Sequence, residues 1–131
     1  MKASGVYSKG IYHGEDKTGY ELISIQTGER EKFATNKQTE KYTLNQGRYW
    51  FDGHVFVKWN KQLEQEVNRG VIIIDEVGPL ELKEGGFHPA VKYLVKNHRE
   101  KLIFIIRKRL IERMIEKYKL SQGEYEICES V

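Results

Sequence analysis

Apolar residues along this chain change their period near its middle. Between residues 4 and 34 they fall in short stretches broken by glycines: Gly5-Val6-Tyr7-Ser8, then Gly19 to Ile25, then Arg30 to Phe33. In Tyr20-Glu21-Leu22-Ile23-Ser24-Ile25 apolar and polar side chains partly alternate, as on a half-buried strand. The intervening His13-Gly14-Glu15-Asp16 and Gln26-Thr27-Gly28-Glu29 are turn chemistry, because Gly tolerates positive φ and Asp favours turns. The pattern predicts two consecutive antiparallel hairpins over 1–34. Residues 35–47 are polar and aperiodic, and read as an exposed loop.

From residue 48 the spacing alternates between helix and strand. Val55, Phe56, Trp59, Leu63 and Val67 recur every three or four residues, which predicts an amphipathic helix ending at Gly70. Val71 to Ile74 is a short β-branched run, typical of a strand covered on both faces. Phe87, Ala90, Val91, Leu94 and Val95 stripe a second helix, with Pro89 tolerable in its first turn. Leu102 to Ile106 reads as another buried strand, Leu110 to Tyr118 as a third helix, and Tyr125 to Cys128 as a last strand. Alternating helices and buried strands predict an α/β fold with a parallel sheet and right-handed crossovers. One domain over 1–131 is expected, with 48–131 as its helix and strand core.

Composition narrows the classes. Apolar residues make up 39% of 131, enough for a core, which argues against wholesale disorder. The longest apolar runs are far short of the ~20 residues of a membrane span, and no hydrophobic signal segment follows Met1, so a soluble, cytoplasmic chain is expected. Cys128 is alone, which excludes an intrachain disulfide or a Cys-rich zinc site. His13, His54, His88 and His98 show no metal-ligand spacing. The formal charge is only +3. Between Lys96 and Lys119, however, nine bases meet three acids. Most of these bases read as a solvated helix face. The alternative, nucleic-acid binding with stacking by Trp50, Trp59 or Tyr93, is the weakest reading, given the modest total charge.

The sharpest chemistry is Val71-Ile72-Ile73-Ile74-Asp75-Glu76-Val77-Gly78-Pro79-Leu80-Glu81-Leu82. Two carboxylates follow a buried strand, where open α/β sheets place their ligands. An Asp there can help hold Mg²⁺, and a neighbouring Glu can orient or deprotonate an attacking water. The bland explanation is that the chain has merely reached solvent.

The order of motifs resembles the thermophile-type nucleoside-triphosphatase family of P-loop proteins. There an Asp-Glu-hydrophobic-Gly-x-hydrophobic-Glu-hydrophobic segment is usual. Gly5-Val6-Tyr7-Ser8 followed by Thr18-Gly19-Tyr20-Glu21-Leu22, then Gly47-Arg48-Tyr49-Trp50-Phe51-Asp52, and Phe87-x-x-Ala-Val are also similar. The resemblance implies hydrolysis of ATP or GTP with Mg²⁺. Asp75 becomes the Mg²⁺-associated (Walker B-like) carboxylate and Glu76 the water-positioning residue. Arg107, just past the second buried strand, would stabilise charge on the phosphoryl group. Its bland alternative is an ion pair with Glu76 or Glu81.

The phosphate-gripping Gly-x-x-x-x-Gly-Lys-Ser/Thr loop has no counterpart, for the chain contains no Gly-Lys dipeptide. Gly14-Glu15-Asp16-Lys17-Thr18 lacks the second Gly and places acids where phosphate would sit. By the resemblance, Met1 falls after the family's first strand, phosphate loop and first helix. A parallel-sheet core missing that unit is therefore expected, with weak nucleotide binding and weak or absent hydrolysis by this chain alone. Val71 to Ile74 is expected either to present an unpaired edge or to sit in a rearranged sheet. A homo-oligomer or a partner chain would cover such an edge. The alternative function is a non-catalytic interaction module that kept the fold.

Overall fold

The computed structural model describes residues 3–128. Its first strands, β1 (Ala3–His13), β2 (Asp16–Ser24) and β3 (Arg30–Thr35), form the two expected antiparallel hairpins. A third hairpin follows, from β4 (Leu44–Gln46) and β5 (Tyr49–Phe51), turning at Gly47, whose φ is 62°. Its first strand lies inside the stretch expected to be loop. Beyond it come α1 (Gly53–Gln65), β6 (Val71–Ile74), α2 (Pro79–Leu82), α3 (His88–Asn97) and β7 (Leu102–Phe104). A 3-10 turn over Lys108–Leu110 leads into α4 (Ile111–Lys117). Tyr125 to Cys128 has no strand structure, so the expected last strand is absent.

Among the described residues seven strands make one curled sheet in the order β4-β5-β3-β2-β1-β6-β7. It is mixed rather than parallel: β1–β6 and β6–β7 run parallel, and the other pairs antiparallel. β6 is therefore not an edge. Of the two expected outcomes the sheet takes the second, with β1 lying beside β6 from Ala3↔Val71 to Val6↔Ile74. Gly5 permits this approach. Its φ is 113°, and a Cβ there would lie 1.9 Å from the Ile73 carbonyl oxygen.

One face of the sheet carries the core. Ile72 and Ile74 are fully buried against Val55, Phe56, Trp59 and Leu63 of α1, Val91 and Leu94 of α3, and Met114 of α4. Phe56 joins sheet to loop, meeting Phe33 edge-on at 5.6 Å and Phe87 at 5.2 Å. Asp52 caps α1 by accepting the His54 N–H at 2.9 Å. Trp59 is fully buried and donates to Glu31 at 2.7 Å, so it cannot stack on a nucleobase.

The opposite face is less covered than the all-apolar runs imply. Val71 and Ile73 are half-buried, and Ile103 and Ile105 are 37% and 50% exposed. β7 is an edge strand, not a doubly covered one. Lys101 and Ile105 use their backbone groups toward β6, so by strand alternation Leu102, Phe104 and Ile106 present theirs outward. Among the described residues no strand pairs with this outer edge of β7. Among the described residues no helix is long and apolar enough to cross a membrane.

Gly5→Ala is expected to lower the unfolding free energy by about 3 kcal/mol, from left-handed strain and collision with backbone together. Urea denaturation measures it; a loss below about 0.5 kcal/mol would contradict the close β1–β6 approach.

Candidate functional site

At the carboxyl end of β6 the chain leaves the sheet sharply. Asp75 is half-buried, and its N–H still bonds the Val6 carbonyl at 3.1 Å. One of its carboxylate oxygens accepts the Ser8 backbone N–H at 3.4 Å, which is long and leaves capacity for another partner. Glu76 then takes a φ of 56°, rare for a residue with a side chain and costing on the order of 1 kcal/mol. That twist returns Val77 to the sheet, where its N–H meets the Ile105 carbonyl at 3.1 Å, and sets the Glu76 side chain, 54% exposed, at the mouth.

The loop beyond is pinned from inside by one carboxylate. Glu81 is 3% exposed. Its two oxygens accept the N–H groups of Gly78 at 2.7 Å and Phe87 at 2.8 Å. Burial pushes its carboxyl up to about 6 against those two hydrogen bonds, and the nearby Glu76 charge raises it further. Asn60 of α1 works beside it, donating to the Gly86 carbonyl at 2.9 Å and accepting the Ala90 N–H at 2.9 Å. The segment from Gly78 to Ala90 is thus tied at both ends to buried side chains.

Between this loop, β1 and the β4–β5 turn opens a cavity of ≈ 470 Å³. Asp75, Glu76 and Arg107 all line it. The Arg107 guanidinium stands 4.0 Å from the Glu76 carboxylate, both largely exposed, so the pair is loose. Ser8, Glu81, Arg48 and Arg109 line the same cavity. Sequence reasoning did not assign these four to the site. Arg48 sits in a segment quoted above only for its resemblance, and Arg109 among bases read as a solvated face. For Glu81 a local signal existed: a Glu three residues after Gly78 reaches back to that residue's N–H, half of a capping box. The aromatic wall includes Tyr20 and Tyr49, whose rings meet edge-on at 5.0 Å. Among the described residues no group of three or more His, Cys, Asp and Glu side chains forms a metal cage.

Comparison with known proteins agrees with this architecture. A family model described as NTPase matches residues 1–130. The nucleoside-triphosphatase THEP1 of Natranaerobius thermophilus is 28% identical over 110 residues, 81% of this chain and 61% of that protein. The THEP1 of Methanopyrus kandleri is 30% identical over 106 residues, 80% of this chain and 57% of that protein. The chain thus spans about three fifths of the length of these relatives. The crystal structure of THEP1 from Aquifex aeolicus superposes with a TM-score of 0.65 at 22% identity, covering 92% of this chain and 70% of that one. The solution structure of a human cancer-related nucleoside triphosphatase gives 0.64 at 18% identity, covering 88% of this chain and 68% of that one. Both share the fold.

The buried Glu81 has a consequence for stability. Its carboxyl titrates near 6 in the folded chain, against 4.5 ordinarily, so the folded state holds the extra proton between those values. Stability attached to this group is present below about pH 4.5 and falls by about 2 kcal/mol as pH rises through 6. Burial holds His88 below its usual range, which acts in the opposite sense, so the readout is a difference between proteins. Urea unfolding at pH 5 and pH 7 should show wild type losing about 1 kcal/mol more than Glu81→Gln over that interval. Equal pH dependence in the two would contradict the buried, charged loop anchor.

Proposed function

Because the chain belongs to this NTPase family, matched over residues 1–130, we propose that the cleft at the end of β6 takes the phosphate end of a nucleoside triphosphate carried with Mg²⁺. The supporting observation is convergence: Asp75, Glu76 and Arg107, separate in sequence, line one cavity at the carboxyl rim of the sheet. The oxygen set suits a nucleotide-borne ion. Mg²⁺ keeps several waters and leans on one or two carboxylates plus phosphates rather than on a protein cage. Asp75, half-buried with spare acceptor capacity, would hold it, and the ion would neutralise charge on the phosphate oxygens.

In this reading Glu76 orients a water and accepts its proton as the oxygen attacks the terminal phosphorus. The bond to the bridging oxygen breaks, and inorganic phosphate and the nucleoside diphosphate leave. Arg107 faces the developing charge, and its loose pairing with Glu76 leaves both free to turn toward a ligand. The 131 residues contain no Gly-Lys dipeptide. The phosphate-gripping loop must therefore come from residues outside these 131 or from a partner chain, and hydrolysis by this chain alone is slow or absent. The free edge of β7, with Ile103 and Ile105 exposed, favours a second reading: an interaction module whose sheet is completed by another chain.

Mg²⁺-dependent phosphate release separates the two. With the phosphate-gripping residues supplied, the enzyme reading expects release from ATP or GTP that Glu76→Gln reduces by about a hundredfold or more, while Asp75→Asn raises the Mg²⁺ requirement. No nucleotide heat by calorimetry, together with self-association at micromolar protein, would support the module instead.

A further inference from the structure

Five backbone N–H groups around the cleft are already engaged. The N–H of Asp75 goes to the Val6 carbonyl and that of Val77 to the Ile105 carbonyl, each at 3.1 Å. Those of Gly78 and Phe87 go to Glu81 at 2.7 and 2.8 Å. That of Ser8 goes to Asp75 at 3.4 Å. A phosphate group entering here finds these five spent on the protein itself, unlike the free amides that cradle anions in a glycine-rich loop. Side chains are therefore the groups to look to for a grip on it.

Three arginines line the cavity, brought together from two distant parts of the sequence. Arg48 projects from the turn between β4 and β5; Arg107 and Arg109 follow β7. Arg107 is beside Glu76. Among the described residues neither Arg48 nor Arg109 has an acidic partner within ion-pair distance, although both are long, exposed and line the cavity that Asp75 and Glu76 also line. The acids facing them in the cleft are Asp75, Glu76 and Glu81, and Glu81 is fully engaged by backbone. Arg48 also borders a polar opening lined by His13, Glu15, Asp16 and Lys17, and among the described residues no ion pair ties it there. Guanidinium groups match phosphate with two parallel N–H···O bonds, which an ammonium cannot do.

We infer that Arg48 and Arg109 form a two-sided clamp on the polyphosphate tail, facing the Asp75–Glu76 rim across the cavity. This rests on the nucleotide reading above and adds two phosphate-binding residues to it. The clamp acts on phosphates rather than on base or ribose, so an inorganic polyphosphate should feel it as strongly as a nucleotide does.

The test is calorimetric titration of the full chain with Mg²⁺ and either ATP or inorganic tripolyphosphate. Arg48→Ala and Arg109→Ala are each expected to weaken both ligands by about tenfold or more, and Arg→Lys at either position to restore only part. Lys61→Ala, an exposed change of equal charge on α1, should stay within about twofold of wild type. If wild type binds both ligands and the two alanine variants match it, the clamp is wrong and the nucleotide site survives. If the variants lose ATP but keep tripolyphosphate, the arginines touch base or ribose and the phosphate clamp is wrong. If wild type binds neither ligand at millimolar concentration, the clamp and the nucleotide reading fall together.

Discussion

The carboxylate of Glu81, buried beneath the loop that follows β6, holds the rest of the cleft in place. It accepts two backbone N–H groups nine residues apart, and hydrogen bonds to a charged acceptor contribute on the order of 1.5–3 kcal/mol each. Burial opposes that gain, which is why the group titrates near 6. With Gly78 and Phe87 fixed, Asn60 can meet Gly86 and Ala90, and α3 is docked on α1. With Val77 held to Ile105, Glu76 must turn through its left-handed conformation and face outward. Remove the buried anchor, and the loop from Gly78 to Phe87 loses the two bonds that close it beneath the cavity.

The sheet explains where the opening lies. β1 enters parallel to β6 and then runs past it into the β1–β2 hairpin, forming one wall. The β4–β5 turn reaches over from the far side of β3 and β2 with Arg48 at its tip, and the segment after β7 brings Arg107 and Arg109 from the other side. Carboxylates near the β6 end are thus faced by guanidinium groups of chain segments that join no common element. The same sheet stays open at β7, where backbone groups point outward and two isoleucines are exposed.

Much of this was legible where one local period governed. The stripe from Val55 to Leu63 becomes α1, although that helix ends at Gln65 rather than at the expected Gly70; Val71 to Ile74 becomes β6, and the turn residues around Gly14 and Gly28 close the hairpins. Failures came where pairing rather than periodicity decides. Leu44-Asn45-Gln46 has no strand pattern of its own and is ordered by its partner Tyr49-Trp50-Phe51. Leu102 to Ile106 is apolar throughout, yet Ile103 and Ile105 face outward from an edge, because a run without alternation cannot report which face is covered. Tyr125 to Cys128 has strand-forming residues but no neighbouring strand. Asp75, Glu76 and Arg107 were visible as candidates from strand ends. Arg48 and Arg109 were not, since only the folded sheet makes a hairpin turn and a 3-10 turn line one cavity.

Paramagnetic mapping tests the central claim most directly, because it reports where a metal–nucleotide complex sits without requiring turnover. Mn²⁺, standing in for Mg²⁺, is added with ATP to the ¹⁵N-labelled chain and amide line broadening is read residue by residue. The account predicts broadening centred on Ser8, Asp75, Glu76 and Gly78, and its absence when ATP is omitted. Broadening centred instead on the exposed acids of the β1–β2 turn, Glu15 and Asp16, or none that depends on ATP, would contradict it.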